Sequence, residues 1–121
     1  MKVKIDTKEK MHVITVEEEK LTANMTENLQ KTILISLNAD IKNVIINFKL
    51  VNEIEEKAAD TLVSVQQAFY EKGNSMVFCN FQPQVEKFLD EKELLEIMNV
   101  TPTESEACDI VQMEEIEREL Y

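Results

Sequence analysis

One glycine, no tryptophan, one histidine and two cysteines in 121 residues remove several large classes of chemistry at once. Phosphate-cradling loops need several glycines so that backbone N–H groups can approach the anion. With Gly73 alone, neither a G-x-G-x-x-G nor a G-x-x-x-x-G-K-[ST] motif can be written, which excludes Rossmann and Walker nucleotide chemistry at the motif level. Cys79, in an apolar run, and Cys108, in a helical stretch, form neither a C-x-x-C pair nor a disulfide framework, and both read as buried thiols. His12 stands alone in a strand-like run near a sheet edge, without the convergent ligands that a metal site or a cysteine–histidine pair requires, so it reads as structural. No metal and no cofactor is expected. No apolar run approaches the roughly 20 residues that span a bilayer, and the start, Met1 to Asp6, enters strand-like sequence without the apolar core of a signal peptide. A soluble, cytoplasmic chain without direct membrane insertion is the expectation. Basic residues are also scarce: 13 against 24 acidic ones give a formal charge of −11. Such a field repels phosphate backbones, so nucleic acid is not an expected partner. The charge either steers the chain toward a basic protein face or serves solubility, the ordinary role of surface charge.

What is present is a globular balance, 44% hydrophobic and 31% charged, over a length suited to one domain, residues 1–121. Lys2 to Asp6 and His12 to Val16 read as an antiparallel hairpin, ended by Glu17-Glu18-Glu19-Lys20. Asn24 and Glu27 form a candidate capping box for a helix over about residues 25 to 38, with Met25, Leu29, Ile33 and Leu37 on one face. Val44 to Phe48 and Ser75 to Asn80 are near-continuous apolar runs, the pattern of central parallel strands covered on both faces. Between them a helix runs through Ala58, Leu62, Val65 and Phe69 and stops at Lys72-Gly73. Pro83 suits the first turn of a short helix through Val85, Phe88 and Leu89, followed by a last strand over Leu95 to Val100. Thr103 and Glu106 supply a second capping box for a closing helix, with Ala107, Ile110, Val111, Met113 and Leu120 inward and the Glu114 to Glu119 cluster solvated. The order ββαβαβαβα implies an α/β fold: a mixed, mostly parallel sheet with about four helices.

The strand-to-helix turn from Asn47 to Ala59 carries the most specific signal. From His12 to about Val111 the layout resembles a sulfate transporter and anti-sigma antagonist (STAS) domain of the anti-sigma factor antagonist type. In that family a strand-end aspartate is followed by a short loop and Asp-Ser-Ser-Gly-Leu at the start of the second helix. Here Asn47 stands at the first aspartate, and Glu55-Glu56-Lys57-Ala58-Ala59 at the motif. Leu21 and Leu29, Lys72-Gly73-Asn74, and the Pro83, Val85, Phe88, Leu89, Asp90 and Leu94 series fall at the family's spacing. The departures lie at the working turn. Lys57 occupies the phosphorylated serine position, Glu56 the serine before it and Ala58 the glycine after it, Glu93 replaces a glycine before the last strand, and Thr22 stands where aspartate is frequent. A lysine cannot accept a phosphoryl group as serine does, which makes Lys57 a degenerate phosphosite.

The resemblance implies a non-enzymatic regulatory module that binds a protein partner, an anti-sigma factor or kinase-like regulator. Its contact surface is expected at Val51, Asn52, Glu53, Glu55, Glu56 and Lys57, because a strand-to-helix turn presents side chains from a rigid scaffold. Glu55 and Glu56 read either as ordinary first-turn acids or as a fixed imitation of phosphate charge. The alternatives are a small STAS subunit of a transport complex or, third, an enzyme using Glu53, Glu55 and Glu56 as acid and base. Paired carboxylates need a cleft and separated pKa values for that work, and nothing in the sequence requires either. Homo-oligomerisation stays open.

Overall fold

The computed structural model describes residues 1–37 and 40–120. Its first two strands, β1 (Val3–Thr7) and β2 (Met11–Val16), form the anticipated antiparallel hairpin, with Ile5 opposite Ile14. A two-residue strand β3 (Lys20–Leu21) leads into helix α1 (Ala23–Ser36), and β4 (Asn43–Asn47) follows. The turn after it contains β5 (Glu53–Ile54) and opens helix α2 (Glu56–Glu71). Then come β6 (Met76–Cys79), α3 (Pro83–Glu91), a single 3-10 turn (Leu95–Ile97), β7 (Val100–Thr101) and α4 (Glu104–Leu120). The main sheet has the order β1-β2-β4-β6-β7, parallel except for β1, and β3 pairs with β5 in a separate parallel ribbon.

Every residue of β4 and β6 is buried, as strands covered on both faces require. Alternate side chains sort into two cores. Ile14, Val44, Ile46, Met76 and Phe78 pack with Leu29 and Ile33 of α1, Ala58 and Leu62 of α2 and Val85 and Leu89 of α3. Met11, Val13, Ile45, Val77 and Cys79 pack on the other face against Ala107 and Val111 of α4. The sheet is therefore sandwiched between three helices and one.

Several local expectations are corrected by tertiary contacts. Helix α1 is capped by Thr22, whose Oγ1 accepts from Met25 N at 3.3 Å, and not by the Asn24–Glu27 box. Leu21 is held beside Ile54 in the β3–β5 ribbon, so the chain can only turn into the helix immediately afterwards. The anticipated helix end at Asn38 lies outside the described residues. Of the strand expected over Leu95 to Val100, Leu95–Ile97 is a 3-10 turn, and only Val100, with Thr101, joins the sheet. His12 lies on the second strand and is buried, with Nδ1 2.9 Å from Thr7 Oγ1, and Cys108 is half-buried where full burial was expected. The end of α4 is inverted relative to the expected pattern: Met113, Ile116 and Leu120 are exposed, while Glu114 and Glu115 turn toward the sheet.

Helices α2 and α3 end the same way. Gly73 N bonds Tyr70 O and Asn74 N bonds Phe69 O; Glu93 N bonds Asp90 O and Leu94 N bonds Leu89 O. Each is a Schellman end with its key residue left-handed, Gly73 at φ +76 and Glu93 at φ +60. Glycine adopts that conformation freely, whereas the Cβ of glutamate meets the following carbonyl oxygen. Glu93→Gly should raise unfolding free energy by about 1 kcal/mol, offset in part by the greater freedom of glycine in the unfolded chain. Urea denaturation checks this; a loss of stability would mean that the Glu93 side chain contributes more than its backbone costs.

Candidate functional site

The turn is built on Asn47, the last residue of β4. Its Oδ1 accepts from Lys49 N at 2.9 Å, bending the chain out of the strand, and its Nδ2 donates to Glu104 Oε1 at 3.1 Å, tying the bend to the start of α4. Val51 N then bonds Phe48 O, and Gln82 at the start of α3 donates from Nε2 to Lys49 O. Below the bend Phe48 meets Phe81 edge-on at 4.9 Å and Phe78 at 6.1 Å. The far side is fixed to the segment before α1: Asn52 N and Glu53 N both donate to Glu19 O, Glu55 N donates to Leu21 O, and Lys20 pairs with Glu53 at 3.0 Å.

Six residues were expected to form the contact surface, and the structure divides them. Asn52, Glu53, Glu55, Glu56 and Lys57 are exposed along the loop and the first turn of α2. Val51 is a correction: it is 0% exposed, part of the main core. The loop has to close over the sheet, and its apolar side chain is what fills that space. Glu55 begins α2 without capping it. Its Oε1 instead accepts from Ala23 N at 2.8 Å, the first amide of α1, so one carboxylate ties together two helix starts. Glu56 lies 3.6 Å from Lys92, the residue that follows α3, and Lys92 also sits 5.7 Å above the Phe88 ring. Each glutamate thus has a contact of its own, Glu55 with a backbone amide and Glu56 with an exposed lysine. Lys57 has no ion-pair partner among the described residues.

Beside the turn is an open cleft of about 500 Å³, lined by Asn52, Glu53, Ile54, Glu55, Val85 and Phe88. It brings an acidic rim against an apolar floor. Neither Phe88 nor Lys92 was named as a surface residue from sequence; their separation by one helical turn at the end of α3 was the available signal. Gln82 was missed as well, because nothing local marks a side chain that braces a carbonyl 33 residues away.

Burial, followed by the charge of Glu104, pushes the Cys79 thiol up to about 12, and burial also raises Cys108. A raised thiol pKa lowers the thiolate fraction that a nucleophile needs. Among the described residues no group of three or more His, Cys, Asp and Glu side chains could hold a metal ion, and no helix is long and apolar enough to cross a membrane.

Residues 2–107 match the family model of the STAS domain. No curated protein matches the sequence. Among solved structures, an anti-sigma-factor antagonist (STAS) domain protein from Planctomyces limnophilus superposes with a TM-score of 0.76 at 17% identity, over 91% of this chain and 97% of that one. A glutamate-for-serine variant of RsbS from Moorella thermoacetica gives 0.73 at 19% identity, over 93% and 96%. The murine anion transporter Solute Carrier 26 family member A9 gives 0.70 at 16% identity, over 89% of this chain and 18% of the transporter. At such identities the superpositions establish the shared fold.

Proposed function

Since the chain belongs to the STAS domain family, we propose that it is a non-enzymatic regulatory module of the anti-sigma factor antagonist type that binds its protein partner without phosphorylation at the usual position. The observation that carries this reading is the α2 start itself: an exposed, braced turn with Lys57 where the family resemblance puts the phosphorylated serine. A lysine ammonium offers no hydroxyl oxygen for phosphoryl transfer. The surface keeps its shape because Asn47, Gln82, Glu19 and Glu55 hold it from three sides, so recognition is static and regulation falls to partner abundance or to another surface. Asn52, Glu53, Glu56 and Lys57 form the rim of the contact, Ile54, Val85 and Phe88 its apolar floor, and the partner presents basic side chains around an apolar one. The likeness to part of a murine anion transporter supports a second reading, a small subunit of a transport complex. A transport ATPase recovered with the chain in place of a kinase-like regulator would favour it.

The test uses a kinase-type anti-sigma factor recovered with the chain. Neutralising the rim with Glu53→Gln and Glu56→Gln should slow association roughly fivefold at low salt and flatten its salt dependence, as rim charges do. Glu55 is left intact because it holds the first amide of α1. Unchanged association rates would remove this turn as the recognition face. Phosphate on residues 55–64 after incubation with that kinase and ATP would overturn the unphosphorylated reading.

A further inference from the structure

Strand β1 is an outer strand of the main sheet, and among the described residues no other strand pairs with its free side. The hairpin shows which of its main-chain groups are free. Lys8 N donates to Met11 O at 2.8 Å and Glu17 N donates to Lys2 O at 2.9 Å, both in the register that pairs Ile5 with Ile14. The even-numbered residues of β1 therefore bond inward to β2, and the amides and carbonyls of Val3, Ile5 and Thr7 point to the open edge. Open edges are templates for another strand, and chains that stay single usually load them with lysine. Lys4 does so within the strand and Lys2 and Lys8 at its ends, with one interruption, Asp6.

That interruption makes the strand its own complement. We propose that β1 pairs antiparallel with β1 of a second copy about a two-fold axis through Ile5, extending the sheet across a dimer. In that register Ile5 faces Ile5 of the second copy and Val3 faces Thr7, and these are the residues whose main-chain groups are free. Lys4 falls opposite Asp6 of the second copy, and Asp6 opposite Lys4, in the closer non-hydrogen-bonded pairs. Neither Lys4 nor Asp6 has an ion-pair partner in its own chain among the described residues. Ile5, 41% exposed beside the partly buried Val3, would be covered by its copy. Moving the axis one residue toward the C-terminus, to Asp6, sets aspartate against aspartate and Lys4 against Lys8, so that slip is penalised. The like pair Lys2 and Lys8 falls just outside the strand ends. There Lys8 has Glu104 at 3.7 Å, and the Glu18 carboxylate reaches the Lys2 amide at 2.9 Å.

The contact is short, so association should be weak, and sedimentation equilibrium from about 10 μM to about 1 mM is the suitable range. At about 0.15 M salt, where long-range repulsion between the acidic chains is screened, the protein should shift from monomer to dimer across that range. Lys4→Asp and Asp6→Lys each set like charges opposite one another and should each weaken dimerisation about tenfold or more. Mixed in equal amounts the two variants restore both ion pairs, at the same total charge as two unmodified chains, and the mixture should dimerise to within about threefold of the original protein. Circular dichroism on each variant verifies that the hairpin is folded. A monomer at every concentration would assign the edge to some other extended segment and overturn the proposal. So would a dimer indifferent to both substitutions, or variants that mixing does not rescue.

Discussion

Replacing Glu114 with alanine should lower the stability of the protein by about 2–3 kcal/mol, because it strands the polar groups it serves against the sheet. Glu114 Oε1 accepts from Ser75 Oγ at 2.6 Å and from Tyr70 Oη at 2.7 Å, and Arg118 donates to Ser75 Oγ at 2.7 Å. Ser75 is fully buried, so its hydroxyl has no water to turn to. Next to it, Asn43 Nδ2 donates to Glu115 Oε1 at 2.7 Å while Asn43 Oδ1 accepts from Ser75 N at 2.8 Å, which extends the clamp across the starts of β4 and β6. Met113→Gln with Ile116→Gln should change stability by no more than about 0.5 kcal/mol, since both side chains already face solvent. A helix docked through its apolar stripe would reverse that ranking. Tyr70 supplies an independent readout: burial first, then the hydrogen bond and charge of Glu114, push its phenol up to about 12. Its folded value lies above the unfolded one, so the stabilisation of the neutral phenol is complete below pH 10 and fades as pH climbs toward 12. In Glu114→Gln, ultraviolet titration should find Tyr70 lower, held up by burial alone.

Phe48→Ala should cost more, about 3–5 kcal/mol, by opening a cavity where β4 runs into the turn. The ring is 0% exposed and makes edge-to-face contacts with Phe78 and Phe81. Its carbonyl receives Val51 N, and its own amide donates to Cys79 O at 3.0 Å, so the residue anchors both the loop and the neighbouring strand. Hydrogen exchange should show the Val51, Asn52 and Glu55 amides losing protection before those of β2. Under the function proposed above, partner affinity should fall with them, since the proposed rim residues ride on that loop. A loss of under about 1 kcal/mol in urea denaturation would mean that the aromatic cluster collapses around the gap and that Phe48 does not set the turn.

The amino-acid sequence by itself determined the elements whose burial is complete. Val44 to Phe48 and Ser75 to Asn80 could only be central strands, because no surface accepts such apolar runs, and Ile46 and Val77 are indeed 0% exposed. Gly73 and Pro83 marked a helix end and a helix start through backbone constraints that act locally. The turn between Asn47 and Glu56 was legible for the same reason: it is a property of consecutive residues. Only the tertiary structure decided which side chains at that turn are free. Val51 went inward because the loop closes over the core, and Glu55 turned to the amide of Ala23, 32 residues earlier in the chain. It also decided the face of α4. The apolar periodicity at Met113 and Leu120 was real, but Asn43, Tyr70 and Ser75 had gathered polar groups at that end of the sheet, and a buried donor without an acceptor costs more than an exposed methionine or leucine. Where a helix must choose between burying a stripe of its own and satisfying hydrogen bonds offered by distant strands, the deciding partners lie outside any local window of sequence.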